Sequence, residues 1–230
     1  MNTIGWVFAE LEDHEQALEW NRLGLELIGS VPSMPDSEIE MHTRLNLGDN
    51  LAALGRGDEA EERFKRVEQV VRNPTPAQRW LLWRWSLHFF HSYGELLLGR
   101  GEASRALAYI DEGLALAEET WSRKYIVKGR RLRGQALAAE GRFDNAEQEL
   151  SAALGIAIEL ANPPQLWKTR AALGELRRAQ GKPKEAQRTC AEALLVVDEV
   201  AARLNDEKLR DTFRHSGQVE AIRPAAGTHA

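Results

Sequence analysis

His88, His91 and Ser92 are the residues of this chain whose types first suggest chemistry. Histidines three apart on a helix share a face, but no carboxylate or third ligand completes a recognised metal spacing around them. Ser92 lacks the Gly-x-Ser-x-Gly surroundings of a nucleophile elbow. The run GRGEAS at 99–104 has neither the lysine nor the preceding strand of a phosphate-binding loop. The single cysteine, Cys190, excludes an internal disulfide. It occupies a slot that other segments fill with Phe, Ile or Leu, and it reads as a core thiol. These residues predict a non-catalytic protein with no metal and no cofactor.

The elements that carry these residues repeat. Gly5/Ala17, Gly48/Ala60, Gly94/Ala106, Gly134/Ala146 and Gly174/Ala186 all share an offset of 12 residues, and successive glycines lie 43, 46, 40 and 40 residues apart. A fixed inner offset under a loose outer period is the mark of stacked supersecondary units. Between the members of each pair stands a short polar break, such as Arg56-Gly57-Asp58 or Gly181-Lys182-Pro183. Glycine there suits a helix C-terminus, and an acidic residue or proline suits the next N-terminus. Sixteen residues after each glycine stand Asn21, Phe64, Ile110, Leu150 and Cys190. Each unit is therefore two antiparallel helices, with small residues where the axes approach and larger ones beside them.

This pattern resembles the tetratricopeptide repeat, most closely in LGDNLAALGRGDEAEERFKRV, Leu47 to Val67. The period exceeds the family's usual length of about 34 residues, as in long-repeat versions that resemble C-terminal sensor regions of bacterial regulators and ATPase-linked cyclases. The resemblance implies an all-α, right-handed α-solenoid of about five helix-turn-helix repeats, at 1–30, 36–72, 75–120, 122–161 and 164–205. A capping helix is expected at 206–215, and 216–230 as a frayed, flexible tail. Val31 to Ser37 reads as a connector. The resemblance implies a protein-interaction scaffold, binding a protein or peptide partner in a concave groove lined by each unit's first helix. The alternative is a small-molecule-sensing receptor domain of a bacterial transcriptional or nucleotide-signalling regulator, with a dry pocket among Trp80, Trp83 and the histidines.

Offsets of −6, −3 and +1 from the glycine fall on one helical face. They hold His42, His88, Lys128 and Lys168; then Leu45, His91, Arg131 and Ala171; then Asp49, Glu95, Gln135 and Glu175. In the resembled family this face lines the groove. Lys128, Arg131, Lys168 and Arg178 are expected to receive an acidic segment, with His88 and His91 nearby. The competing reading pairs these cations with Glu95 and Glu175 and leaves a solvated face. A second basic cluster, Arg123, Lys124, Lys128, Arg130, Arg131 and Arg133, raises nucleic-acid contact, or else a helix charged all round. The net charge of −5 argues against a dedicated nucleic-acid binder. The aromatic run Trp80 to Phe90 predicts a helix buried on several sides, with exposed anchors as the alternative.

A chain of 230 residues with 43% hydrophobic and 28% charged residues is ordinary globular material. No stretch of about 18 uncharged apolar residues appears, so no membrane span is expected. Repeat material runs from the first residues, which predicts no signal peptide and a cytoplasmic location. The first unit shows Trp6, Val7 and Phe8 at its N-terminal edge without a polar cap. That edge is expected to meet an upstream domain or to form a homodimer.

Overall fold

The computed structural model describes residues 1–30 and 37–227, and every regular element among them is helical. The helices are α1 (Asn2–Glu10), α2 (His14–Gly29), α3 (Glu38–Ala53), α4 (Gly57–Arg72), α5 (Leu82–Gly99) and α6 (Ala103–Glu119). They continue as α7 (Arg123–Ala139), α8 (Phe143–Leu160), α9 (Pro163–Ala179), α10 (Pro183–Ala201), α11 (Glu207–Arg214) and α12 (Gly217–Ala226). The connector expected at Val31 to Ser37 lies outside the described residues apart from Ser37.

Local chemistry sets the helix ends. Asp13, Ser37, Asn162 and Asp206 each place a side-chain oxygen on a first-turn amide, at 3.2, 3.3, 3.1 and 2.8 Å. Such a cap is worth about 1 kcal/mol. Pro163 and Pro183 open α9 and α10, where a missing N–H costs nothing. The turns inside four hairpins pass through Gly55, Gly101, Gly141 and Gly181 at φ +74 to +78°. In the first hairpin the same position is Glu12, at φ 60°.

The paired glycines and alanines mark the closest approach within each hairpin. A Cβ on Gly5 would stand 2.5 Å from Asn21, on Gly94 2.7 Å from Ile110, and on Gly134 2.6 Å from Leu150. Phe64 and Cys190 fill the same space opposite Gly48 and Gly174. The five alanines are all buried. Each bulky residue sixteen positions on thus fits into the hollow that a glycine leaves, and this fixes the register of the two helices.

The chain divides into two compact units, Met1–Leu116 and the part from Ala117 onward, with the division inside α6. In the first unit α1/α2, α3/α4 and α5/α6 form hairpins, and α2 packs on α3 and α4 on α5. Met41, Leu45, Phe64, Trp85, Phe89 and Ile110 make its core. In the second unit α7/α8 and α9/α10 form hairpins, and α8 packs on α9. Val127, Ala153 and Ala157 form one cluster there. Trp167, Cys190, Val197, Phe213, Val219 and Ile222 form another. Burying each large side chain contributes about 1.5–3 kcal/mol. Each unit is a solenoid of helical hairpins.

Two expectations are corrected here. The helix expected from Thr75 begins at Leu82: the chain from 76 to 81 runs through turns, with the Gln78 amide on the Thr75 carbonyl and the Leu81 amide on the Gln78 carbonyl. The expected tail is instead α12 over its first part, with Val219 and Ile222 buried against α10 and α9. Residues 228–230 lie outside the described residues.

Candidate functional site

In the first unit α3 and α5, the first helices of successive hairpins, lie side by side. They bring the −6 and +1 positions together. His88 Nε2 lies 2.7 Å from Asp49 Oδ2. The rings of His42 and His88 have centroids 6.1 Å apart. Arg84 Nη1 reaches Glu38 Oε1 at 2.7 Å, and His42 Nε2 lies 3.7 Å from the same oxygen. Glu38 therefore serves Arg84 first and lends His42 little support. Burial, the neighbouring His88 and Arg84 hold the His42 imidazole down at about 4, against an ordinary 6.5. Glu95 stands exposed further along α5.

In the second unit α7 and α9 play the same roles. Lys128 and Gln135 are half-buried on α7, and Lys168 is half-buried on α9 with Nζ 5.2 Å from the Trp167 ring. Glu175 and Arg178 are exposed. The Glu175 carboxyl is nonetheless pushed upward by desolvation, with Arg178 opposing the shift. The face can offer cations at Lys128, Lys168 and Arg178 to a carboxylate.

The −3 position does not belong to this face. His91 is fully buried, with its Nδ1 2.6 Å from the Leu87 carbonyl oxygen and its ring against Gly113 of α6. Arg131 is 4% exposed and donates from Nη1 to Gln165 Oε1 at 2.8 Å. Leu45 in the same column is also fully buried. These side chains point between helices, where buried polar groups find hydrogen-bond partners. The apolar members of the column, Leu45 and Ala171, are the signal in the sequence that sets it apart. The register also holds a groove position that polarity alone does not pick out: Trp6 stands at +1 in the first hairpin and is 44% exposed. Glu38 and Arg84, one turn before His42 and His88, complete the polar cluster and have no repeat signal of their own.

The second basic cluster is largely engaged within the chain. Arg123 pairs with Glu159, Arg130 with Glu118 and Glu149, and Arg133 with Glu149. Cations committed to carboxylates are poorly placed to neutralise phosphates. The aromatic run is split. Trp85, Leu87, Phe89 and Phe90 are buried, but Trp80 is 75% and Trp83 41% exposed. The two indoles precede or open α5, before its core-facing part begins. Among the described residues, no three His, Cys, Asp or Glu side chains are grouped to hold a metal ion. None of the described helices is long and apolar enough to cross a membrane.

Paired helices in register, each hollowed by a glycine, with first helices forming a polar face, define a helical-hairpin repeat protein. The family model for the tetratricopeptide repeat matches residues 41–66, in α3 and α4, and 167–194, in α9 and α10. The chain thus carries tetratricopeptide repeats at these two places. No curated protein matches it in sequence. Among solved structures it resembles the nearly identical TPR-like repeats of a putative kinesin light chain from Podosopora anserina, at 14% identity and a TM-score of 0.57, over 87% of this chain and 94% of that one. It also resembles TTC0263, a TPR protein of Thermus thermophilus, at 20% identity and a TM-score of 0.57, over 93% and 95% of the two chains. BtubC from P. vanneervenii shares 15% identity at a TM-score of 0.56, over 95% and 84%. At these identities the likeness is one of fold.

Proposed function

We propose that this protein is a regulatory interaction scaffold that takes an extended or helical segment of a partner along its first-helix faces, with an acidic stretch met by Lys128, Lys168 and Arg178. Repeats of this kind generally serve as non-catalytic protein-interaction scaffolds. The observation that carries the reading is the contact of His88 with Asp49. It puts the −6 side chain of one repeat beside the +1 side chain of the repeat before it, so these columns share one face. Lys128 and Lys168 hold the −6 places in the second unit, with Gln135 and Glu175 at +1. A row of cations on a concave face favours a carboxylate-rich ligand, and it governs association rate more than affinity.

The receptor alternative calls for a closed chamber at Trp80 and Trp83, and both indoles stand in solvent. That favours the peptide reading. The test is a calorimetric titration of a synthetic peptide rich in Asp and Glu, with wild type and with Lys128→Glu/Lys168→Glu. The double variant is expected to bind at least about tenfold more weakly, a loss of about 1.4 kcal/mol. Unchanged affinity would remove the acidic-segment reading.

A further inference from the structure

A cleft of about 220 Å³ opens between α2 and α4 in the first unit, over α3. Buried Leu47 and Leu51 of α3 and Leu18 of α2 form its apolar floor. Helical spacing sets Leu47 and Leu51 nearly opposite His42 and Asp49 around α3, so the cleft lies away from the polar face. Leu25, Arg22 and Glu26 of α2 and Glu59 and Arg63 of α4 complete the walls and rim.

The repeat itself shows what this place holds. One hairpin on, Tyr93 stands at the Leu47 position and Tyr109 at the Arg63 position. Their rings pack edge to face, with centroids 4.8 Å apart. Their hydroxyls donate to Glu61 at 3.0 Å and to Glu68 at 2.8 Å. Glu61 and Glu68 hold the places of Leu18 and Leu25. In the second unit Arg177 takes the Leu51 place and donates to Thr189, at the Arg63 place. The first cleft keeps the apolar bed and leaves the space of a ring open. An apolar cavity of about 150 Å³ admits benzene, so this one has room for a ring with a short polar arm. The rim selects the arm. Glu59 is engaged by Arg56 through two bonds of 2.7 Å. Among the described residues, no carboxylate stands within ion-pair distance of Arg22 or Arg63, and both act on Glu59 only from further away. Glu26 offsets one of these two guanidinium groups, which leaves one positive charge. The later cleft meets phenol donors with carboxylates. This one offers donors, so its ligand brings an anionic acceptor.

We propose that this cleft binds a small free aromatic acid, with its ring on Leu18, Leu47 and Leu51 and its carboxylate received by Arg22 and Arg63. The planar guanidinium groups suit a carboxylate. A polypeptide ending in phenylalanine carries the same chemistry, and the test separates the two sources. Lys128 and Lys168 belong to the second unit, so the proposal stands without the groove reading.

The probes are 3-phenylpropionate and its neutral amide, titrated into the full chain and followed by amide shifts in NMR. The acid is expected to bind at least about tenfold more tightly than the amide and to lose that margin as salt rises. Arg22→Gln and Arg63→Gln should each weaken the acid by about tenfold and leave the amide nearly unchanged. Arg63→Tyr rebuilds the Tyr109 place and should close the cleft to both compounds. Lys128→Glu/Lys168→Glu should change neither. Circular dichroism checks the fold of Arg63→Tyr, and the two glutamine variants carry the test if that one fails to fold. Absence of saturable binding at about 10 mM acid would overturn the proposal. So would equal binding of acid and amide, or indifference of the acid to both glutamine variants. Capture of acetyl-Gly-Gly-Phe at least about tenfold more tightly than the free acid would also overturn it, since the occupant would then be a chain terminus.

Discussion

His42 is a residue whose environment makes a measurable demand. Its imidazole is held at about 4, chiefly by burial and then by His88 and Arg84. The folded value lies below the ordinary 6.5, so folding favours the neutral ring. The contribution is complete above pH 6.5 and is lost as pH falls from there towards 4. Its ceiling is about 3 kcal/mol, at roughly 1.4 kcal/mol per unit. Urea unfolding at pH 7 and pH 4.5 should therefore show a smaller acid loss in His42→Gln than in wild type. Equal losses would mean that the ring is solvated in the folded protein. At this scale the sequence is half legible. The offsets of His42, His88 and Asp49 place them on one face, and they meet there. The same offsets and their polarity point His91 and Arg131 to that face too. Burial decides otherwise: His91 meets the Leu87 carbonyl of its own helix, and Arg131 the Gln165 amide oxygen of α9.

Among the elements, α12 separates the two ways of reading a segment. Its glycine, alanines and proline suggest fraying, yet Val219, Ile222 and Ala226 recur at helical spacing and are buried. Periodicity is the better guide than composition. Ile222→Ala should lower stability by about 2–4 kcal/mol if α12 is part of the core of the second unit. A change under about 0.5 kcal/mol, read from the thermal or denaturant midpoint, would put the segment outside it. The hairpins themselves are legible because each paired glycine makes room for one named neighbour, as Gly94 does for Ile110. The start of α5 is not, because Pro76 suits a helix opening in sequence while the turns from 76 to 81 delay the helix to Leu82.

For the whole molecule, repeat architecture makes stability a sum of units and neighbour contacts. Nothing in the glycine register marks the division inside α6, because the offsets run through it unchanged. Function follows from what the repeated faces display, and the central claim is that a partner segment lies along first helices. The most direct measurement is photo-crosslinking of the acidic peptide to the full chain. A benzoylphenylalanine replaces Gln135 on α7 or, separately, exposed Gln148 on α8. A crosslink from position 135 and none from 148 is the predicted result. Capture from 148 with none from 135 would place the ligand on the second helices and contradict the account.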